Sequence, residues 1–596
     1  MNVAKRGSAA PLPLQDALNQ QRPLFVRAAW FSFILGLLML APSWFMFEVY
    51  GRVLNSRNET TLWMLLIMVV GVYVVVEMLE LVRSRILYGA AEAVDVQLRQ
   101  RVFDVAFDAN RKRIPGASMQ AFGDLKTLRD FIASPVVTAV LDAPAALVML
   151  LLMFLLSPWL GLMTLAGALL QVVIAASTDR KTMPLLGEAM QSSMAAQSYA
   201  ASTQRNAQVI ESMGMLGSVH KHWIARQRRF LAKQAEASDH SGLNSMAAKL
   251  IQTMQGSLLL GAACWLSLHN DLAGGAGMII VASIIGARVL APMAQLVAQW
   301  RLIVGVRDAY GRLNRLMAAM PEQPATMPLP KPKGVLTVEA VHAAAPGSVL
   351  PILRGVSFNA RPGEVVAVIG PSACGKSTLA RLLVGLWPAA SGKVRLDGAD
   401  VYAWNKVELG PSIGYLPQNV ELFDGTVAEN IARFGTVDMP AVRAAVDLVG
   451  MLDVVESLPQ GFDTRIGDDG AVLSGGQRQR LGLARAVYGA PSFLVLDEPN
   501  ASLDEAGEQA LLKLLQALKS RGATVVAITH RTTLLPAADK LLVMSEGQSA
   551  AFGPRDDVLA ALRKANEQAR AQYEAAQRAA AGASAGNVVA LPGSAA

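Results

Sequence analysis

Residues 370–378 read Gly370, Pro371, Ser372, Ala373, Cys374, Gly375, Lys376, Ser377 and Thr378, a GxxxxGK[ST] pattern. The two glycines let the backbone turn so that successive N–H groups converge on an anion. A helix opening at the loop's end adds partial positive charge. Lys376 is placed to reach the outer phosphates of a nucleotide, and the Ser377 hydroxyl to ligate Mg²⁺. The plainer reading, a glycine-rich turn that binds nothing, is weakened by three further motifs downstream. The elements needed to hold the loop are present: an apolar run at 365–369 before it and helical apolar spacing at 379–387 after it.

Gln418, in YLPQN, can ligate Mg²⁺ or orient a water. In LSGGQRQR, Ser474 is a natural helix N-cap, and Gly475, Gly476 and Gln477 follow it with backbone N–H groups at a positive helix end. Such a segment grips a γ-phosphate, yet the chain already has a phosphate loop, so the pattern points to a second chain. FLVLDEP is an apolar strand ending in Asp497 and Glu498. Asp497 can hold Mg²⁺ through water and Glu498 can act as general base for an attacking water. The next strand ends at Thr529-His530, where the imidazole can contact a γ-phosphate. Alternating short strands and helices from residue 335 onward are the pattern of an α/β domain.

The first half has a different composition. The chain has 596 residues, is 53% hydrophobic and only 17% charged, against ~25% charged in soluble domains. Apolar stretches at 28–50, 61–82, 135–157, 159–176, 250–268 and 274–297 have the length of membrane helices. The expected links within pairs, 51–60, 157–158 and 269–273, are short; the two long segments, 83–133 and 179–249, are polar, helical in spacing and basic. Excess Lys and Arg sets both termini and both long segments in the cytoplasm. Glu77 reads as a solvated carboxylate near the cytoplasmic interface, with a place on a substrate path as the other reading. The net charge of +8 is spread among cytoplasmic segments with no base-stacking motif, so nucleic acid is not expected as a partner. Cys264 and Cys374 suggest no disulfide framework. Cys374 reads as a small loop side chain rather than a reactive thiol.

The boundaries that follow are a cytoplasmic lead-in 1–24, a six-span membrane domain 25–320, a proline-rich linker 321–334, an α/β domain 335–562 and a tail 563–596 that begins helical, continues Ala/Gly-rich and is expected to be disordered. No cleavable signal peptide is expected, because the first apolar run starts late and spans a bilayer.

Phosphate loop, glutamine loop, LSGGQ, Asp-Glu strand end and terminal histidine together resemble an ATP-binding cassette (ABC) nucleotide-binding domain, and the whole chain resembles an ABC half-transporter. The fold this implies is an all-α six-helix exporter-type membrane domain followed by an α/β P-loop cassette. Further motifs are similar to type I secretion ATPases of the branch exporting metalloproteases and lipases: Tyr50–Leu54 with Asn55–Arg57, Leu141-Asp142-Ala143-Pro144, Ser157–Gly161, Arg288–Pro292, Gln299-Trp300, Ala309–Leu313, Gly425–Gly435 and Ala551–Leu562. The resemblance implies a homodimer enclosing two ATP molecules, each site built from Gly370–Thr378 of one subunit and Ser474–Gln477 of the other, with Asp504 joining the sites. It also implies Mg²⁺, the bacterial inner membrane and its lipid as surroundings, a periplasmic adaptor protein, an outer-membrane channel and a secreted unfolded polypeptide with an uncleaved C-terminal signal. With so short a segment before the first span, neither a peptidase domain nor leader cleavage is expected. Ala344-Ala345-Pro346 stands where such cassettes carry an adenine-stacking aromatic, so no residue is assigned that role. Ala501 stands where a serine is common. A lipid or drug exporter of the same architecture is the second reading, and a non-transporting ABC switch protein the third.

Overall fold

Proline at a helix's first turn costs nothing, because the N–H it lacks has no intrahelical partner there. That device begins several N-terminal elements: α1 (Pro13–Gln20), α2 (Arg22–Leu38) and α3 (Ala41–Glu48). The computed structural model describes residues 13–112, 119–269, 272, 275–321, 327–346, 348, 350–467, 473–565 and 567–568. It divides into two compact units, Met1–Glu322 and Gln323–Ala596. The start of the expected lead-in, part of the 269–273 link, linker residues 322–326 and most of the tail lie outside the described residues; the tail's first residues, 563–565, are helical as expected.

After α3 the chain winds through a π-helical turn, Val49–Val53, into α4 (Leu54–Ser56). The expected link at 51–60 is therefore much shorter. Gly51 is absorbed in the widened turn, and the helix stops only at Arg57, whose φ of 50° is left-handed. Asn58 then caps α5 (Glu59–Arg111), its side chain accepting from the Thr61 N–H at 3.1 Å. Helices α6 (Met119–Ile132), α7 (Pro135–Leu156), α8 (Pro158–Arg205), α9 (Ala207–Ser212), α10 (Leu216–Leu268), α11 (Gly275–Ala298) and α12 (Trp300–Ala319) complete the unit. At 1.5 Å per residue, the 53 residues of α5 and of α10 each reach about 80 Å, well beyond a bilayer.

Large apolar side chains face outward along these helices; Trp63, Ile67, Leu155 and Leu268 are 62–77% exposed, a surface suited to lipid. Among the described residues, five helical stretches are long and apolar enough to cross a membrane: Arg22–Ser56, Glu59–Arg111, Gln120–Leu156, Pro158–Arg205 and Gly277–Ala298. The expected stretch at 250–268 is not among them. It is the end of α10, and Gln252 and Gln255 dilute its apolar character. Gln255 is buried and its amide donates to the Met163 carbonyl at 2.9 Å, so the polar group is satisfied inside the bundle. Glu77 lies exposed on α5.

The second unit opens with β1 (Leu336–Ala344), β2 (Pro351–Ala360), β3 (Val365–Ile369), β4 (Ser391–Leu396), β5 (Ala399–Asp400) and β6 (Ile413–Leu416). It continues with β7 (Gly425–Thr426), β8 (Arg465–Ile466), β9 (Phe493–Asp497), β10 (Thr524–Ile528), β11 (Lys540–Ser545) and β12 (Gln548–Pro554). The order of the main sheet is β12-β11-β3-β10-β9-β6, parallel except for β12 at the edge. Along β3 the side chains alternate: Val365 and Ala367 enter one core and Val366 and Val368 the other, as a strand buried on both faces requires. A second sheet, β2-β1-β4-β5, lies over the Val366 face. The helices are α13 (Lys376–Leu383), α14 (Lys406–Leu409), α15 (Val427–Ile431), α16 (Met439–Leu448), α17 (Leu452–Glu456), α18 (Gly475–Val487) and α19 (Glu505–Ser520).

Arg433 ties this unit together. Its guanidinium donates to the carbonyls of Gly410, Ile413, Arg485, Ala486 and Tyr488 at 2.8–3.3 Å. Burial, with the Arg485 charge nearby, pulls its pKa below the usual arginine value.

Candidate active site

In open parallel sheets, ligands bind beyond the carboxyl ends of the strands. Here β3 ends in the 370–378 loop, β9 in Asp497 and Glu498, β10 in Thr529 and His530, and β6 runs towards Gln418. A cleft of about 370 Å³ at these ends is lined by Ile352, Ser372, Ala373, Gly375, Lys376, Ser377, Thr378, Gln418, Glu498 and His530.

The loop needs its glycines for measurable reasons. A Cβ on Gly370 would lie 2.3 Å from the Met544 carbonyl and 2.9 Å from Cys374 Sγ. Gly375 has φ of 101°, the left-handed turn that opens α13. Lys376 is buried, with Nζ donating to the Gly370 and Pro371 carbonyls at 2.8 Å each. Cys374 is also buried, part of the core beneath the loop, which agrees with a packing role.

Asp497 is 2% exposed, and its Oδ1 has no hydrogen-bond partner among the described residues. Burial, and the adjacent Glu498 charge, push its carboxyl above the usual carboxylate range; a hydrogen bond from Ser377 and the charges of Arg381 and Lys376 oppose the shift. An orphaned carboxylate oxygen beside a serine hydroxyl is a hard-oxygen pair of the kind Mg²⁺ takes together with substrate phosphates, so these residues fit that ion. Glu498 has φ of 52°, a strained backbone for a non-glycine residue. Its N–H donates to the Ile528 carbonyl at 2.9 Å, and its Oε1 lies 3.1 Å from His530 Nε2. The carboxylate is thus held at the cleft by the neighbouring strand.

Ser474, Gly475, Gly476, Gln477 and Asp504 do not line this cleft. Ser474 and Gln477 form a reciprocal capping box at the start of α18 (Gln477 N–H to Ser474 Oγ 3.3 Å, Ser474 N–H to Gln477 Oε1 2.9 Å). Asp504 caps α19 through Gly507 at 2.9 Å. Ala345 and Pro346 are likewise absent from the lining, where Ile352 supplies an apolar surface.

One residue escaped the motif reading. Gln479 is buried, its amide donates to the Glu498 carbonyl and its oxygen accepts from the Ser502 N–H, both at 2.8 Å. It joins the LSGGQ helix to the base-bearing strand end. The signal was in the spacing, because Gln479 shares a helical stripe with buried Gly482, Leu483 and Ala486.

The arrangement is that of a nucleotide-hydrolysing cassette, preceded in the chain by an exporter-type helical unit. Residues 25–285 match the ABC transporter transmembrane region and residues 353–501 the ABC transporter domain. The type I secretion system ATP-binding protein PrsD of Rhizobium meliloti (strain 1021) is 38% identical over 91% of this chain and 93% of its own length. The leukotoxin translocation ATP-binding protein LktB of Mannheimia haemolytica is 26% identical over 91% of this chain and 77% of its own. A solved bacterial Atm1-family ABC exporter with ATP bound superimposes with a TM-score of 0.78 at 20% identity, covering 90% of this chain and 96% of that one, a likeness of fold. The chain belongs to the ABC transporters of type I secretion systems, as a multi-pass membrane protein that uses ATP to drive transport.

Proposed function

We propose that this chain is the inner-membrane ATPase that moves an unfolded polypeptide with an uncleaved C-terminal signal out of the cytoplasm. It works as a homodimer, with a periplasmic adaptor protein and an outer-membrane channel. The observation that carries this reading is the likeness to a type I secretion ATP-binding protein along nearly the whole chain, membrane unit included.

In this reading Lys376 leaves its loop carbonyls for the outer phosphates, while the loop N–H groups hold the rest. Ser377, Gln418 and Asp497 hold Mg²⁺, which when bound neutralises charge developing on the phosphate oxygens. Glu498 takes the proton of the attacking water, and His530, beside it, steadies the γ-phosphate. Ser474–Gln477 and Asp504, away from the cleft of their own chain, serve the partner's nucleotide. Hydrolysis reopens the paired cassettes and the membrane helices respond.

The test compares culture-supernatant proteomes of wild type and Glu498→Gln in the native host. Loss of one or a few proteins lacking N-terminal signal peptides is the expected result and names the cargo. An unchanged supernatant, with cargo expression confirmed, overturns protein export; ATPase stimulation by lipids or hydrophobic drugs then supports the second reading.

A further inference from the structure

Two motifs distant in sequence, Leu141–Pro144 and Arg288–Pro292, converge on one cavity of about 280 Å³ in the helical unit, which Asp142 and Arg288 both line. Its walls come from α2, α5, α7 and α11, and Glu80, Arg83 and Gln295 are also exposed to it. Arg83 is the buried keystone, donating to Asp142 at 2.8 Å, Glu80 at 3.0 Å and the Ser32 hydroxyl at 3.1 Å. Both carboxylates are committed to it. The wall beside them is tight: a Cβ on Gly36 of α2 would meet the Ala145 Cβ of α7 at 2.1 Å.

Arg288 differs. It is half-buried, and it has no ion-pair or hydrogen-bond partner among the described residues. A half-buried guanidinium without a direct partner offers paired N–H donors whose geometry takes a carboxylate in a two-pronged grip. Leu35, Met39 and Met149 give the same cavity an apolar side. Its volume lies just below the ~300–1,000 Å³ of ligand pockets, room for one or two side chains of a polypeptide and far too small for a folded domain.

Position supports the same occupant. With the N-terminus in the cytoplasm, Ser32 lies early in the outward stretch Arg22–Ser56 and Asp142 in the first half of outward α7, whereas in the returning α11 Arg288 lies just past the middle and Gln295 near the end. Arg83 follows the apolar part of α5. The cavity therefore runs from near the middle of the span, at Arg288, towards the cytoplasmic side, where a cytoplasmic polypeptide would enter.

We propose that this cavity is a subsite for a carboxylate-bearing, otherwise apolar segment of the transported polypeptide, with Arg288 as the anchoring cation. The inference rests on the export reading above. The carboxylate is an acidic side chain or the chain's own C-terminus.

The test uses the full-length protein in nanodiscs and fluorescence anisotropy of short labelled peptides. The probes carry one aspartate among apolar residues with a free C-terminus, and are compared with versions in which the aspartate, the terminus or both are made amides. The acid forms are expected to bind about tenfold more tightly than the double amide. Arg288→Gln removes that difference and Arg288→Lys, which keeps the charge but not the two-pronged grip, retains part of it, with elution profile and melting temperature checking the fold. Which single amide abolishes the preference identifies the source of the carboxylate. Equal binding of acid and amide by wild type overturns the proposal and needs no variant. So does a well-folded Arg288→Gln that keeps the preference, or a preference that vanishes when anionic lipid is added, which makes lipid the occupant. Secretion separates the two levels. An unchanged supernatant with Glu498→Gln sinks export itself, whereas cargo lost with Glu498→Gln but secreted normally by Arg288→Gln sinks only the subsite.

Discussion

Two arginines, Arg433 half-buried and Arg83 buried, show how differently the two units are built. Arg433 in the cassette is enclosed by five backbone carbonyls, all neutral and all fixed by the fold around them. Arg83 in the helical unit is held by side chains on its own helix and on two others: Glu80, Ser32 and Asp142. A carbonyl cage cannot be unmade without unfolding the strands and helices that carry it. A side-chain tie between helices is undone when one helix slides or turns. The cassette is thus a rigid frame for chemistry, while the helical unit keeps its buried charge in contacts that a conformational change can break.

The comparison can be broken, and the largest effect tests the rigid half. Glu498→Gln leaves ATP binding intact and lowers turnover by ~10²–10⁴, measured as steady-state phosphate release alongside nucleotide binding. Near-normal turnover would remove Glu498 as the base. Next is Arg83→Gln, which strands Asp142 and Glu80 and destabilises the helical unit by about 3 kcal/mol, read as a lower melting temperature in detergent. An unchanged melting temperature would mean that the tie contributes nothing.

Gln479→Leu leaves the part-buried Glu498 carbonyl and Ser502 N–H without their side-chain partner, and kcat for ATP falls about tenfold with KM little changed. Gln479→Glu keeps only the acceptor for Ser502 and should fall between the two. A KM effect without a kcat effect would show that Gln479 does not position the base.

The smallest effect is a gain. The folded state holds the Asp497 proton more tightly than the unfolded chain does, so the ionised carboxylate costs stability at pH above its raised value. Asp497→Asn removes that cost, and the nucleotide-free protein is more stable by about 1 kcal/mol near neutral pH, with the gain fading as pH falls from the raised pKa to the ordinary carboxylate value and absent below it. Mg²⁺-dependent hydrolysis is lost in the same variant. A stability gain that persists unchanged in acid would point to a cause other than this carboxyl.

The residues that meet at the strand-end cleft could be picked out because each group is local. The loop at 370–378 and the strand end at Asp497-Glu498 each occupy a few consecutive residues, and parallel strands bring their ends to one edge. What pattern could not supply was long-range pairing. Gln479 reaches Glu498 and Ser502 only through the packing of α18, and the Arg83 cluster depends on how helices far apart in the chain cross. The first link was misjudged because Gly51 reads as a breaker, yet a π-turn accommodates it. The 250–268 stretch is less apolar than the others because it carries Gln255, whose bond inside the bundle no apolar count reveals.

Lys376 sets a threshold for what may enter the cleft. Its ammonium is already satisfied by the Gly370 and Pro371 carbonyls, so any anion that would recruit it must first replace two good hydrogen bonds. A lone phosphate or sulfate has only one group of oxygens to offer in exchange. A triphosphate offers several at once, along the loop and at the lysine together. On the ATP reading proposed above, the exchange at Lys376 favours a triphosphate over a single phosphate before any chemistry begins.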